Sequence, residues 1–502
     1  VKQQVQTRAM PPWPADPDRS LKFRNDARLD QPDIDTIVAW VDGGAPRGDG
    51  SLTPPPFTSR WPNPARRPDM IITLPVVNIP ANGVIPYTPL RVEVKESGDR
   101  WIAAMQFRPG NPQIMHHMGI TEVESTSGLS AEQIEAFRGT AQQLGISVDA
   151  LDGDQPAVRD PENREIFDML GIYTPGSTLE MYPPGTGKLL KGGGNRYLSF
   201  NVHYTANGTA QRDHSKLALW FLPEPPLHQL FRTPTAVASI IANGRQLLSD
   251  DPGTKAEGTD AAIPPIGKNE DNYELVGMTA FASPLTIYQL QPHAHMRAKD
   301  FTFVAVYPEG HELTLLTVPQ YDFHWQLAYE LQEPLTLPAG SKLIVTAHYD
   351  NSVNNPHLRE LGDGELAKNC GPDKEAYFRR ENQSWDEMFT PLIQYSTIKI
   401  RQPLRTVEVV GCPSAGDARH PWSLVNASAA STTTEQSTSA AALRQISSRA
   451  KGSYRYRLLG AGVFDRQLRT HQRLAVRGML IAESGERSLN VTSVQVIPGS
   501  CR

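Results

Sequence analysis

Cysteine is scarce in this chain: Cys370, Cys412 and Cys501 are the only three in 502 residues. So few exclude a disulfide scaffold, and their spacing excludes a zinc ribbon, leaving one bridge and one odd thiol as the simplest arrangement. Long apolar runs are missing too. No stretch approaches the roughly 18 residues that a membrane-spanning helix needs, so no span is expected. Charge of one sign is also lacking, because 49 basic and 54 acidic residues leave a net charge of −5. No basic stripe is available for nucleic acid or an anionic lipid surface, and neither is an expected partner. The chain opens at Val1 with neither a methionine nor the charged and apolar regions of a secretory leader, and it reads as processed or truncated.

What the chain has in quantity is proline (43) and glycine (38), the punctuation of many short strands joined by turns. A mainly β fold is expected, in about three domains at ~150 residues each. Residues 1–50 hold the clearest helix, "LDQPDIDTIVAWVDGG", with Asp30 as N-cap, Ile34, Ile37, Val38 and Val41 on one face and Gly43 as its stop. A Gly- and Pro-rich linker follows, with its core at 51–67. Residues 68–225 read as strands with one helical insertion, "SAEQIEAFRGTAQQLG". Residues 226–403 are strand-like again, with a hairpin around Pro308-Glu309-Gly310. Residues 404–502 form a last small β unit, in which the Ser/Thr/Ala-rich stretch 427–449 is expected to be a mobile loop.

Histidine carries the chemistry. Among thirteen, two close pairs stand out, His116-His117 in the first β region and His293/His295, in "QPHAHMRAKD", in the second. On a strand, positions i and i+2 share a face, so His293 and His295 could converge on one ion. Adjacent residues face opposite ways, so His116 and His117 could share an ion only where a bulge redirects one ring. His203, in "SFNVHYTANG", would complete a three-imidazole site. For the second pair the third ligand is either His348, in "TAHYD", or Met388, in "SWDEMFTP". An all-imidazole set suits zinc, copper or iron, whereas a thioether favours Cu(I); methionine is otherwise an ordinary core filler.

The order His-His, "VHY", His-x-His, "DEM" resembles the copper type II, ascorbate-dependent monooxygenases, the family of peptidylglycine α-hydroxylating monooxygenase and dopamine β-monooxygenase. The resemblance runs over about residues 68–403. It implies two antiparallel jelly-roll domains facing each other across an open, solvent-filled cleft, and two copper ions per chain. His116, His117 and His203 would hold the electron-supplying copper. His293, His295 and Met388 would hold the copper that binds dioxygen, and would be the catalytic set. The implied reaction inserts one oxygen atom of O2 into a substrate C–H bond, drawing electrons from ascorbate or another external donor. His348 would then be a supporting residue. The Arg with which the peptide-amidating enzyme grips its substrate carboxylate is replaced here by Gln291, and the Asn and Tyr that follow the Met are replaced by Thr390 and Leu392. A peptidylglycine substrate is therefore not implied, and the substrate is left as a small organic or peptide-like molecule. Two other classes stand beside this one: a copper-binding electron-transfer protein without hydroxylase activity, and a zinc-dependent hydrolase built on His293, His295 and His348.

The flanking segments carry resemblances of their own. "TRAMPPWPADP" with the helix after it is similar to the second half of a class I cytochrome c domain, with Met10 in the place of the axial haem ligand. The haem-attaching C-x-x-C-H is absent, so haem c is implied only for a longer form, where it could deliver electrons to copper. Residues 404–502 resemble small OB-like modules appended to bacterial secreted proteins. A Cys412–Cys501 bridge closing that unit would fit an oxidising compartment, periplasmic or extracellular. "YPPGTGKLL" is a decoy for a phosphate-binding loop, since Tyr182 and Leu189 stand where its first glycine and its hydroxyl residue belong.

Overall fold

The computed structural model describes residues 1–48, 66–85, 88–124, 155–156, 168–177, 179–193, 196–250, 263–359, 368, 370–378, 384–417, 420–483 and 486–501. The fold is mainly β and its strands pair mostly antiparallel. Among the described residues no helix is long and apolar enough to cross a membrane. The linker at 51–65 and the helix expected at 130–145 lie outside the described residues.

Strands between Met70 and Gln229 pair only among themselves, in two main sheets. One centres on Arg100–Arg108 and Lys216–Phe221; the other runs from Thr88–Glu93 through Arg196–Tyr204 to Met115–Glu124. Alternating apolar residues of both, among them Ile102, Phe107, Ile120, Phe200 and Leu217, form one core. The strand His228–Gln229 still belongs to the first of these sheets, so the change-over falls between Gln229 and Phe231, a few residues past 225.

A second pair of sheets takes the strands from Phe231 to Thr397. Its four-stranded sheet includes Leu285–Gln291 and Leu392–Thr397, and ends on Tyr329–Leu337. Its six-stranded sheet includes Tyr273–Ala280 and Lys342–Tyr349, and ends on Glu312–Val318. Phe301, Phe303, Leu337 and Val345 are among the wholly buried side chains between them. The hairpin at 308–310 turns as its sequence predicts, with Gly310 at φ +90° and its N–H on the Tyr307 carbonyl.

Residues 406–500 close into a barrel. Thr406–Ala415 pairs with Trp422–Ala427, which pairs with Tyr454–Leu459; that strand lies parallel to Glu486–Ser500, which returns through Gln472–Glu483 to the first. A five-stranded closed ring of this order is OB-like. Cys412 and Cys501 are disulfide-bonded, joining the first strand to the end of the last, and Cys370 is a free thiol. The barrel docks on the second unit around Lys342. This lysine is wholly buried and donates to the Gly460 and Val491 carbonyls, and burial pushes its amine down to about 7. The stretch 427–449 departs from the loop expected of it: Ala440–Ser447 is a helix. Ser439 caps it by accepting the Ala442 N–H, and Leu443 and Ile446 pack on the barrel. Alanine's helix propensity and one well-placed serine outweigh a composition that is loop-like on average.

At the other end, the helix Gln31–Asp42 forms with Asp30 accepting the Asp33 N–H, and it packs against a short helix, Lys2–Gln6. Between them residues 13–25 run as an arm over the second unit. Asp16 and Leu21 N–H groups donate to Thr317 and Leu315, Arg24 donates to Glu330, and Gln332 donates to Lys22. Trp13 meets Tyr329 edge-on and Phe23 lies tilted against it, so Phe23 is buried in that unit's core and Trp13 packs half-buried on it.

Candidate metal centre

In the first unit the ladder itself assembles three imidazoles. His203 is the direct cross-strand partner of His117, and the register then slips so that Tyr204 opposes Met115. His116 is the extra residue of that bulge. The slip turns its ring toward the other two: ring centroids are 5.0 Å from His116 to His117, 5.4 Å from His116 to His203 and 4.9 Å from His117 to His203. One ligand atom from each ring lies within 4.8 Å of the others. The Nδ1 atoms of His116 and His117 are 2.8 Å apart, so one ring donates to the other and a proton sits where an ion could.

The second pair is placed differently. The ladder ends at Gln291, and His293 and His295 lie just past it, outside any strand. Side chains and carbonyls hold them instead. His293 Nδ1 donates to Gln326 Oε1 at 2.7 Å, and His295 Nδ1 donates to the Asp386 carbonyl at 2.9 Å. Each neutral ring therefore leaves its Nε2 unprotonated, and the His295 Nε2 is buried with no hydrogen-bond partner. Fixing the outer nitrogen to an oxygen acceptor is how ligating histidines are oriented. The rings are 5.8 Å apart.

Met388 belongs to the segment that supplies the acceptor for His295. Asp386 receives His295, the Thr390 N–H donates to the His293 carbonyl, and Tyr349 Oη donates to the Met388 carbonyl. Glu387, wholly buried, accepts the N–H groups of His295 and Arg297 at 3.1 and 2.6 Å. Burial pushes its carboxyl up to about 8 against the pull of Arg297, whose guanidinium also reaches Asn351, Trp385 and Cys370. The same segment reaches the other cluster, where Ser384 Oγ lies 3.2 Å from His203 Nε2.

The two clusters touch. His117 and His293 ring centroids are 5.9 Å apart, and Phe323 wedges beside them, 4.7 Å from His116 and 5.9 Å from His295. The open cleft expected between the units is therefore not what separates these histidines. The reason is the loop carrying Phe323 and Gln326, which leaves the second unit and fills the space against the first. Burial holds all five imidazoles neutral: His116 is pushed down to about 3, His203 and His293 to about 4, and His117 and His295 well below the usual range. Neutral imidazole is the form that binds metal.

His348 does not join them. Its Nδ1 is 2.7 Å from Asp300 and its Nε2 3.6 Å from Glu274, contacts that raise its basicity and engage both nitrogens. Lys188, from the phosphate-loop decoy, is a buried strand residue ion-paired to Asp168 at 2.6 Å. Met10 is 42% exposed and lines the mouth of a cavity of about 580 Å³. Trp13, Phe107, Tyr173, Gln291 and Trp325 are among its other walls, so the cavity begins two residues from His293. Sequence reasoning missed Phe323, Gln326, Ser384 and Glu387. The one available signal was the run "YDFHWQ", whose aromatic and polar residues are too dense for an ordinary turn.

No family model matches the chain, and no curated protein matches it. Among solved structures it is similar to the major capsid protein P2 from bacteriophage PM2, at 10% identity over 66% of this chain and all of that one, with a TM-score of 0.21. It is also similar to allantoicase, at 11% identity over 53% of this chain and 76% of that one, with a TM-score of 0.16. Likenesses this slight carry no argument about activity.

Proposed function

We propose that the chain is a dicopper monooxygenase of the secreted or periplasmic space, which hydroxylates a C–H bond of a small organic substrate. The carrying observation is the pair of neutral imidazole sets, with His117, His203 and His295 buried and His116 and His293 half-buried, one gathered by a bulge and one aimed by Nδ1 acceptors, that meet at His117 and His293. His116, His117 and His203 would hold one copper. His293 and His295, with Met388 on the segment beside them, would hold the other. The balance is R–H + O2 + 2e⁻ + 2H⁺ → R–OH + H2O. Copper bound there would supply the one-electron steps this needs, with ascorbate or a c-type haem of a longer form as donor.

The residues of the chain do the rest. Gln326 and Asp386 fix ring orientation, Phe323 keeps water from between the sets, and the aromatic cavity next to Gln291 suits a largely apolar substrate. Arg232, also in its wall, is neutralised by Glu180 and bonded to Gln289, so the cavity offers no spare cation for a carboxylate. The engagement of His348 with Asp300 and Glu274 counts against a zinc hydrolase built on it.

The test is metal content after anaerobic Cu(I) loading, followed by oxygen uptake coupled to a hydroxylated product. About two coppers, falling to about one in His116→Ala and in His293→Ala, with product formation, is the expected result. Retained zinc, or no loss in either variant, would overturn the reading. Copper without coupled oxygen uptake across a substrate panel would leave an electron-transfer protein.

A further inference from the structure

Asp322, His324 and His357 form a separate group of ligand-type side chains that the reading above does not use. One ligand atom from each lies within 4.8 Å of the others. His357 Nε2 is 3.7 Å from Asp322 Oδ1, and the His324 and His357 rings are 5.1 Å apart at 74°. The residues come from two segments distant in sequence, the loop 321–326 and the short helix Pro356–Arg359. Both segments are held before any ligand arrives. Asp322 accepts the His324 N–H at 2.8 Å and its carbonyl accepts the Trp325 N–H. Asn355 donates to Met296 and Asp350 and accepts the His357 N–H. His357 is buried, Asp322 half-buried and His324 exposed, so the site has a solid floor and an open side.

We propose that this is a third metal site, for a divalent first-row cation of the zinc or cobalt kind. Two imidazoles and one carboxylate on one side of an ion, with solvent on the other, is a ligand set such cations take. An ion there would join the loop to the helix. The loop also carries Phe323 and Gln326, so this site would fix the parts that wedge and orient the imidazoles next to it; the His116 and His324 rings are 5.9 Å apart. The inference is independent of whether the neighbouring sets take copper.

The test titrates Co²⁺ into the full chain after anaerobic Cu(I) loading, following visible d–d absorption and metal content. One cobalt equivalent is expected in the unaltered chain and none in His324→Ala, an exposed position whose loss leaves the fold intact by far-UV circular dichroism. Asp322→Asn keeps an acceptor for the His324 N–H, and should weaken cobalt binding at least tenfold. His116→Ala should lose copper and keep cobalt. Because the readout is the difference between the unaltered chain and His324→Ala, it stands whichever metal fills the other sets. No cobalt absorption, or an equivalent indifferent to both His324→Ala and Asp322→Asn, would overturn the proposal.

Discussion

In the first unit, backbone register brings His117 opposite His203 and one extra residue swings His116 in beside them; in the second, His293 and His295 lie beyond the last ladder bond and depend on Gln326, Asp386 and Glu387. A strand pair places side chains through many shared hydrogen bonds, so no single neighbour is critical. A strand end has no such redundancy, and each ring rests on one or two named contacts. The first cluster should therefore tolerate changes around it, and the second should not.

The largest test of that contrast is Arg297→Met. It unties Asn351, Trp385 and Cys370 from the guanidinium and leaves their oxygens without that donor, at about 1–3 kcal/mol for each hydrogen bond lost. Urea unfolding should show it as a much lower midpoint, and a change under 1 kcal/mol would mean the strand end is held by something else. Next, Gln326→Leu removes the acceptor on His293 Nδ1. A ten- to hundredfold loss of Cu(I) affinity is expected at that cluster, with the His116 cluster unchanged. Equal losses at both, in a competition titration, would erase the distinction.

Acid should act on both clusters together. Burial lowers His116 to about 3 and His203 and His293 to about 4, from 6.5, so between those values the unfolded chain binds more protons than the folded one. Stability of the metal-free protein should then be full above about pH 6.5 and fall as pH drops toward 4. Denaturant midpoints at pH 7 and 5 measure this, and a flat profile would mean water reaches the rings. The smallest effect is expected from Ser384→Ala, which removes the contact with His203 and should cost about 1 kcal/mol or less, because the ladder still holds that ring.

Much of this architecture is legible locally. Alternating apolar residues mark the strands, Asp30 and Gly43 bound their helix, and the need for a bulge at His116-His117 follows from the two-residue period alone. What escapes is anything decided by contact between distant segments. That Phe323 would fill the gap between units or that Ser384 would reach His203 depends on docking, and that His348 would be taken by Asp300 depends on which strands pair; no window of sequence encodes either. The helix Ala440–Ser447 escaped for a simpler reason: its capping serine sits among nine other serines and threonines in the stretch 427–449.

The arm at residues 13–25 has a consequence for solubility. Glu312–Val318 and Tyr329–Leu337 are the last strands of their two sheets, and the arm bonds to both. An uncovered edge strand is a template for pairing with another chain, so the arm acts as a seal over two such edges at once. Trimming the chain to its β units would open both, and the product to expect is aggregate rather than a smaller folded protein.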